Sequence, residues 1–529
     1  MADIIIKNAI VVDGSGRNRY PADIGITKGR ITAIEKELKL EAAIVIDAQK
    51  KIVAPGFIDI HSHSDLSPFF TDYKMQSKLY QGITLEVVGN CGISGLPVND
   101  DFRNAITEFI GAGLELPLRG MILEDDSITD YAEHLTRCPA ATNVGVLVGH
   151  GTLRGCIMGF DMRPPTADEL KAMEELLDRE LSRGAFGMSL GLIYPPSSYG
   201  DLEEFIALGK VLKKHNAILS VHMRSESTKI FEAVKEMLAV ARGSGVHVEI
   251  SHLKLIGKPQ WGKAQELLEL IKAGRAEGLD ITCDQYPYTA TSTNMSAMVP
   301  GWAQSGGAEA MCKRLEHPEP KLLTEIREEM ERRGGAKCVL IVSTHDKYHE
   351  FDGVPLDEIA KRMKLEPEDA VAKLLVGTNG GVPCVYFSLS EEDMLTIMRE
   401  PYICVGSDGY AMPFEKGLIG TNPHPRSFGT FPRYLQTIRE HQLMSLEAAI
   451  AKITTLPASI LGLRDRGRIA LGNRADITIF DHEKIEDHSV YTNSMCKPAG
   501  VNYVIIDGKV AFAEGEQVGN NFGKVILHE

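Results

Sequence analysis

No Cys-x-x-Cys pair occurs in these 529 residues, and the nine cysteines are scattered and odd in number. That excludes a regular disulfide scaffold and suits a reducing compartment, so a cytoplasmic location is expected. No apolar run reaches the ~20 residues needed to span a bilayer. The stretch Met1–Asn8 lacks a basic segment leading into an apolar core, so no secretory leader is expected there. Positive charge is in deficit, with 57 Lys and Arg against 72 Asp and Glu and a net charge of −15. This argues against nucleic acid or an anionic membrane as partner. Phosphate-cradling signatures are missing as well. There is no Gly-x-x-x-x-Gly-Lys-Ser/Thr and no strand-placed Gly-x-Gly-x-x-Gly. His150-Gly151-Thr152-Leu153-Arg154 follows a strand and reads as a structural turn more readily than as pocket lining.

What is present is ordinary in bulk and specific in pattern. A hydrophobic content of 43% and a charged content of 24% suit a globular chain. The length exceeds one hydrophobic core, so two or three domains are expected. Residues 1–55 read as short β-branched runs with turns between them, such as Ile4-Ile5-Ile6, Asp23-Ile24-Gly25-Ile26 and Ile31-Thr32-Ala33-Ile34. Residues 463–529 read the same way, through Ile477-Thr478-Ile479-Phe480 and Val501–Val510. Since chain ends often lie close in space, the two segments are expected to form one small β-sandwich.

Between them, strand-like runs alternate with helical patterns. The runs include residues 83–88, 143–148, 217–221, 246–250, 280–283, 339–342 and 403–405; the helical patterns include 167–183, 201–215, 228–243 and 263–277. Repeated β-α units imply a parallel sheet, and about eight of them imply a (β/α)8 TIM-type barrel. The expected fold is therefore α/β, with residues 56–462 as the catalytic barrel. The charged helical stretch 303–338 is expected to be an insertion, suited to serve as a lid.

The chemistry begins at Phe57-Ile58-Asp59-Ile60-His61-Ser62-His63. Residues i and i+2 of a strand share a face, so two imidazoles would project together from its end. A bare His-x-His is usually a surface pair, but further candidate ligands recur, each at the end of an apolar run. Cys91 follows Val87-Val88, His222 follows Val221, His252 follows Ile250-Ser251, and Asp408 follows Ile403-Cys404-Val405. In a barrel all six converge on one mouth. Four imidazoles, a thiolate and a carboxylate suffice for one or two Zn²⁺ ions and favour zinc over magnesium or calcium. A carboxylate beside an acidified water can take its proton and pass it to a leaving amine, which suits amide hydrolysis.

The same residues resemble the D-aminoacylases (N-acyl-D-amino-acid deacylases) of the metal-dependent amidohydrolase superfamily. The resemblance runs through Pro55–Asp65, Gly89-Asn90-Cys91-Gly92, Tyr194-Pro195-Pro196, His222-Met223-Arg224-Ser225-Glu226 and Ser251-His252-Leu253-Lys254. It continues through Asp284-Gln285-Tyr286-Pro287-Tyr288, Ser407-Asp408-Gly409 and His424–Arg433. Most of the superfamily bridges its metals with a carboxylated lysine. No lysine ends the run Gly187–Gly191, and Cys91 is the more specific sign.

The resemblance implies one tightly held zinc on Cys91, His222 and His252. It implies a second, weaker site on His61, His63 and Asp408, bridged by Cys91, with Asp408 as general base. It also implies that Lys254, Tyr194, Tyr286, Tyr288 and Arg426 contact an N-acyl-amino-acid substrate, with Arg433 an alternative to Arg426 and Arg224 orienting its neighbours. The stretch Tyr410–Pro423 is longer than the family pattern. The implied reaction is hydrolysis of an N-acyl-D-amino acid to a carboxylate and a free D-amino acid. Hydrolysis of a cyclic amide or an acylated peptide is the alternative within the superfamily, and a catalytically dead binding module the alternative outside it.

Overall fold

The computed structural model describes residues 2–529 apart from 71–73, 101–102, 105–106, 108–125, 345–346, 416–421 and 520. Part of the long Tyr410–Pro423 stretch thus lies outside the described residues. Five strands open the chain: β1 (Ala2–Val11), β2 (Tyr20–Thr27), β3 (Arg30–Glu35), β4 (Ala42–Asp47) and β5 (Ile52–Pro55). Seven more alternate with helices: β6 (Phe57–Asp59), β7 (Ile83–Val88), β8 (Asn143–Gly149), β9 (Gly187–Gly191), β10 (Ile218–His222), β11 (His247–Ile250) and β12 (Ile281–Gln285). Then come β13 (Thr291–Asn294), β14 (Val339–Ile341), β15 (Pro383–Tyr386) and β16 (Ile403–Val405). The chain closes with β17 (Ile477–Phe480), β18 (Val501–Ile506), β19 (Lys509–Ala513) and β20 (Glu516–Gln517).

Strands β6–β12 and β16 form an eight-stranded parallel sheet in the order β16-β12-β11-β10-β9-β8-β7-β6. Its two edges meet through the Ser62–Gly409 bridge, where Asp408 N donates to His61 O at 2.8 Å. This is the TIM-type barrel. Side-chain alternation separates its layers. On β10, Leu219 and Val221 pack outward with the helices, while Ile218 packs inside beside Leu85, Leu147 and Phe186. Above that apolar floor the interior turns polar. Ser220 Oγ lies 2.9 Å from Ser251 Oγ and 3.1 Å from Asn90 Oδ1. The intervening helices include Ala167–Ser182, Leu202–Lys214, Ile230–Ser244 and Ala264–Ala276. The first begins at a capping box in which Thr166 and Glu169 satisfy each other's backbone N–H groups.

The nine strands β1–β5 and β17–β20 form one sheet drawn from both chain ends. Its two faces bury different partners. Val53 packs within the sheet's own core against Ile24, Ile477 and Ile479. Its neighbours Ile52 and Ala54 face the barrel's outer helices, with Phe431 and Tyr434. This alternation fixes the small domain against the barrel.

The run Val339–Ile341 departs from the expected barrel series. It pairs antiparallel with β15 (Val339↔Tyr386, Ile341↔Cys384) in a three-stranded sheet with β13. A short apolar run reads alike whether it joins the barrel or a satellite sheet; here its partners are local, in a separate core with Met295, Leu315, Ile326 and Leu356. This inserted layer lies between β12 and β16 and carries the helices Gly307–Glu316, Pro320–Arg332, Leu356–Met363 and Pro367–Gly377.

Candidate metal centre and active site

The carboxyl ends of β6, β10 and β11 deliver His61 and His63, His222, and His252, while the turns after β7 and β16 deliver Cys91 and Asp408. All six are buried. Cys91 Sγ lies 3.4 Å from His61 Nε2, 3.5 Å from His222 Nδ1 and 3.4 Å from His252 Nε2. His63 Nε2 is 3.0 Å from Asp408 Oδ1, and His61 Nε2 is 3.5 Å from the same oxygen. Two overlapping sets share Cys91, each with its donor atoms within 4.8 Å of one another: His61, His63, Cys91 and Asp408, and Cys91, His222 and His252.

This donor set fits a cation. One thiol proton cannot satisfy three imidazole nitrogens around a single sulfur, whereas a metal ion can hold thiolate and imidazoles together. Burial pushes the Cys91 thiol well up, with Asp408 adding to the effect, so a cation is what would release its proton. Burial pulls the His222 and His252 imidazoles well down, leaving them neutral, the form that ligates. Among the described residues, the buried His222 Nε2 has no hydrogen-bond partner. Asp408 is held well below the usual carboxylate range. Burial pushes it up, but Arg426, His252, His63 and His61 outweigh that.

The backbone is shaped around these groups. Cys91, His252 and Asp408 adopt φ of 55°, 37° and 52°, left-handed values uncommon for non-glycine residues and frequent where a site holds a side chain in place. At Gly191, the end of β9, a Cβ would fall 1.8 Å from the Cys91 carbonyl oxygen. No lysine can stand at Gly191 while Cys91 holds its position.

A second set of side chains orients the first. Asp284 Oδ2 is 3.0 Å from His61 Nδ1, and Asp284 Oδ1 accepts from His252 N at 3.0 Å. Glu226 Oε1 is 3.0 Å from His252 Nδ1 and accepts from Lys254 Nζ at 2.5 Å. Beneath the Asp408 turn, fully buried Lys78 donates to Asp59 at 2.6 Å and to Ser407 Oγ at 2.5 Å. None of Asp284, Glu226 and Lys78 was singled out in the sequence. The placement of Asp284 at the end of β12 and of Glu226 four residues after His222 is the signal that could have marked the first two.

Lys254, Tyr194, Tyr286 and Arg426 line the cleft above the cluster. Arg426 Nη1 donates to Asp408 Oδ2 at 2.5 Å. Among the described residues, the buried Tyr286 hydroxyl has no hydrogen-bond partner. Tyr288 does not reach the cleft, contrary to expectation. β12 ends at Gln285, so Tyr288 stands three residues past the strand end, with Pro287 before it. The Tyr288 hydroxyl instead donates to Asp487 Oδ2 at 2.9 Å. Arg433 stacks over the Tyr288 ring, 4.7 Å from its centroid, and lies outside the cleft too. Arg224 pairs with Glu236 at 3.0 Å, and His150 with Ser197 and Glu204 at 2.8 Å each. Both are structural pairings.

The chain belongs to the Amidohydrolase family, whose model matches residues 44–512. It is 34% identical to an N-acyl-D-glutamate deacylase of Alcaligenes xylosoxydans xylosoxydans, covering 97% of this chain and 94% of that one. It is 31% identical to a D-aminoacylase of the same organism, covering 99% and 97%. Among solved structures, it matches the N-acyl-D-glutamate deacylase of Bordetella bronchiseptica, complexed with zinc and a phosphonate inhibitor that mimics the tetrahedral intermediate. The TM-score is 0.83 and the identity 31%, over the whole of both chains.

Proposed function

We propose that this protein is a zinc-dependent N-acyl-D-amino-acid deacylase that hydrolyses a linear amide to a carboxylate and a free D-amino acid. The observation that carries this reading is Cys91, whose sulfur lies within 3.5 Å of three imidazole nitrogens where a bridging group is needed. Cys91, His222 and His252 hold the tight zinc; His61, His63 and Asp408 complete a weaker second site. Bound zinc supplies a Lewis acid for the scissile carbonyl and for the attacking water.

The chain's own residues do the rest. Asp408, ionised through Arg426 and the surrounding imidazoles, accepts the proton of the attacking water and delivers it to the leaving nitrogen. Lys254, Arg426 and the unpartnered Tyr286 hydroxyl bind the substrate's α-carboxylate. Tyr194 bounds the cleft from the side, its hydroxyl 2.9 Å from Thr293 Oγ1. Asp284 and Glu226 fix the orientation of His61 and His252. The domain limits that accompany this reading are 1–55 and 463–529 for the β domain and 56–462 for the catalytic unit.

The test is release of free amine from paired N-acetyl-D- and N-acetyl-L-amino acids by purified protein with zinc quantified. Hydrolysis of the D-series alone, lost with a chelator and in Cys91→Ala, is the expected result. Stoichiometric zinc with no release from any of them refutes the reading and directs attention to cyclic amides.

A further inference from the structure

The inserted layer brings into the cleft a cation that no motif announces. Arg333 follows the helix Pro320–Arg332, and its side chain, 9% exposed, lines the same cleft as His222, Lys254 and Asp408. Its guanidinium lies over the Tyr386 ring, 5.0 Å from the centroid. Nε donates to Glu329 Oε1 at 2.9 Å. Among the described residues no acceptor meets either Nη.

The cleft's other two cations stand beside the metal cluster, each positioned by a carboxylate. Lys254 is held by Glu226 and Arg426 by Asp408, each at 2.5 Å. Glu329 is a looser partner for Arg333, 27% exposed and touching only the Nε edge. Both Nη groups of this largely buried guanidinium therefore remain without a protein acceptor among the described residues, so water or a ligand must supply one. The fork of two Nη groups matches a carboxylate. An N-acyl-amino acid brings one carboxylate from its α-carbon, for which Lys254 and Arg426 are placed. With an uncharged acyl group, a second anionic group comes from its side chain; a dicarboxylic acyl group is the other source.

We propose that Arg333 reads the substrate's side chain, and that the substrates of this protein are N-acyl-amino acids whose side chain ends in a carboxylate. The inference rests on the deacylase reading and narrows it. The rival role for Arg333 is purely architectural, a clamp between its helix and Tyr386.

The zinc-loaded protein is assayed against the N-acetyl-D forms of glutamate, aspartate, leucine and methionine. The expected result is a kcat/KM for an acidic substrate at least about a hundredfold above the neutral ones. In Arg333→Gln that ratio collapses, chiefly through KM. In R333K part of it returns, because lysine restores the charge without the fork. Zinc content and the circular dichroism spectrum identify any variant that has misfolded, and the wild-type profile needs no variant. A wild type that prefers neutral side chains or is indifferent to them overturns the proposal, as does R333Q lowering all substrates equally. If no N-acyl-D-amino acid is hydrolysed, the deacylase reading fails separately, and calorimetry with glutarate and butyrate takes over. Tighter binding of glutarate, lost in R333Q, retains Arg333 as a carboxylate reader; equal binding of the two acids removes it.

Discussion

Two layers of this molecule line one cleft, the strand ends of the barrel and the inserted layer between β12 and β16. The barrel's contributions are pinned from below. His61 rests on Asp284, His252 on Asp284 and Glu226, and the Asp408 turn on the buried Lys78–Asp59–Ser407 cluster. In the inserted layer, the side chain of Arg333 is held by less. Arg333 has one partly exposed carboxylate and one aromatic ring, and Thr293 reaches the barrel through the Tyr194 hydroxyl. Reacting groups must keep their geometry to fractions of an ångström, so they sit on rigid strand ends with supporting networks. Groups that select among substrates can sit on a separate layer with its own core, one that can vary without disturbing the reaction.

The sharpest way to break that division is at Asp408. Asp408→Asn keeps the shape but cannot take up a proton, and kcat should fall about 10²–10⁴-fold while the tight zinc is retained on analysis. Full activity in that variant would remove Asp408 as the base. Next is the support beneath it. Lys78→Met leaves the Asp59 carboxylate fully buried without its cation. The expected loss is about 3–5 kcal/mol, read as a lowered Tm. An unchanged Tm would mean that the barrel does not depend on this buried pair.

A third prediction concerns barrel scaffold away from the cleft. Burial pushes the Lys452 ammonium down to about 8, while its Nζ donates to Met398 O and Glu400 O. Lysine in an unfolded chain titrates near ~10.4. The unfolded state therefore binds more protons between pH 8 and that value, and the contribution of this group to stability rises with pH across the window. Below pH 8 its penalty is constant, on the order of 3 kcal/mol. Lys452→Met removes the dependence, so the wild type should gain Tm on the variant only above pH 8. Parallel curves throughout would show that Lys452 titrates normally.

The smallest effect tests the seam between the layers. Tyr194→Phe deletes the hydrogen bond to Thr293, a loss of about 1 kcal/mol, and should raise KM roughly 3–10-fold with kcat nearly constant. A fall in kcat alone would move Tyr194 from the seam into the chemistry.

The barrel was readable before folding because its signals are local. Apolar runs ending in His61, Cys91, His222, His252 and Asp408 place each candidate ligand at a strand terminus, and alternation along β10 separates Leu219 and Val221 from Ile218. The pairing of Val339–Ile341 was not readable, since nothing in three apolar residues names their partner. The place of Tyr288 was not readable for a related reason: the resemblance sets it beside Tyr286, but past the end of β12 nothing local names the partner its hydroxyl finds.

By itself the sequence determined the candidate ligand types, their order and the barrel that collects them, because imidazole, thiolate and carboxylate carry their chemistry wherever they stand and strand ends are marked locally. Tertiary structure alone decided that Arg333 enters the cleft, that Tyr288 leaves it for Asp487, and that Glu226 and Asp284 support the histidines. Those outcomes depend on contacts between segments far apart in the chain, and no pattern of neighbouring residues encodes such a distance.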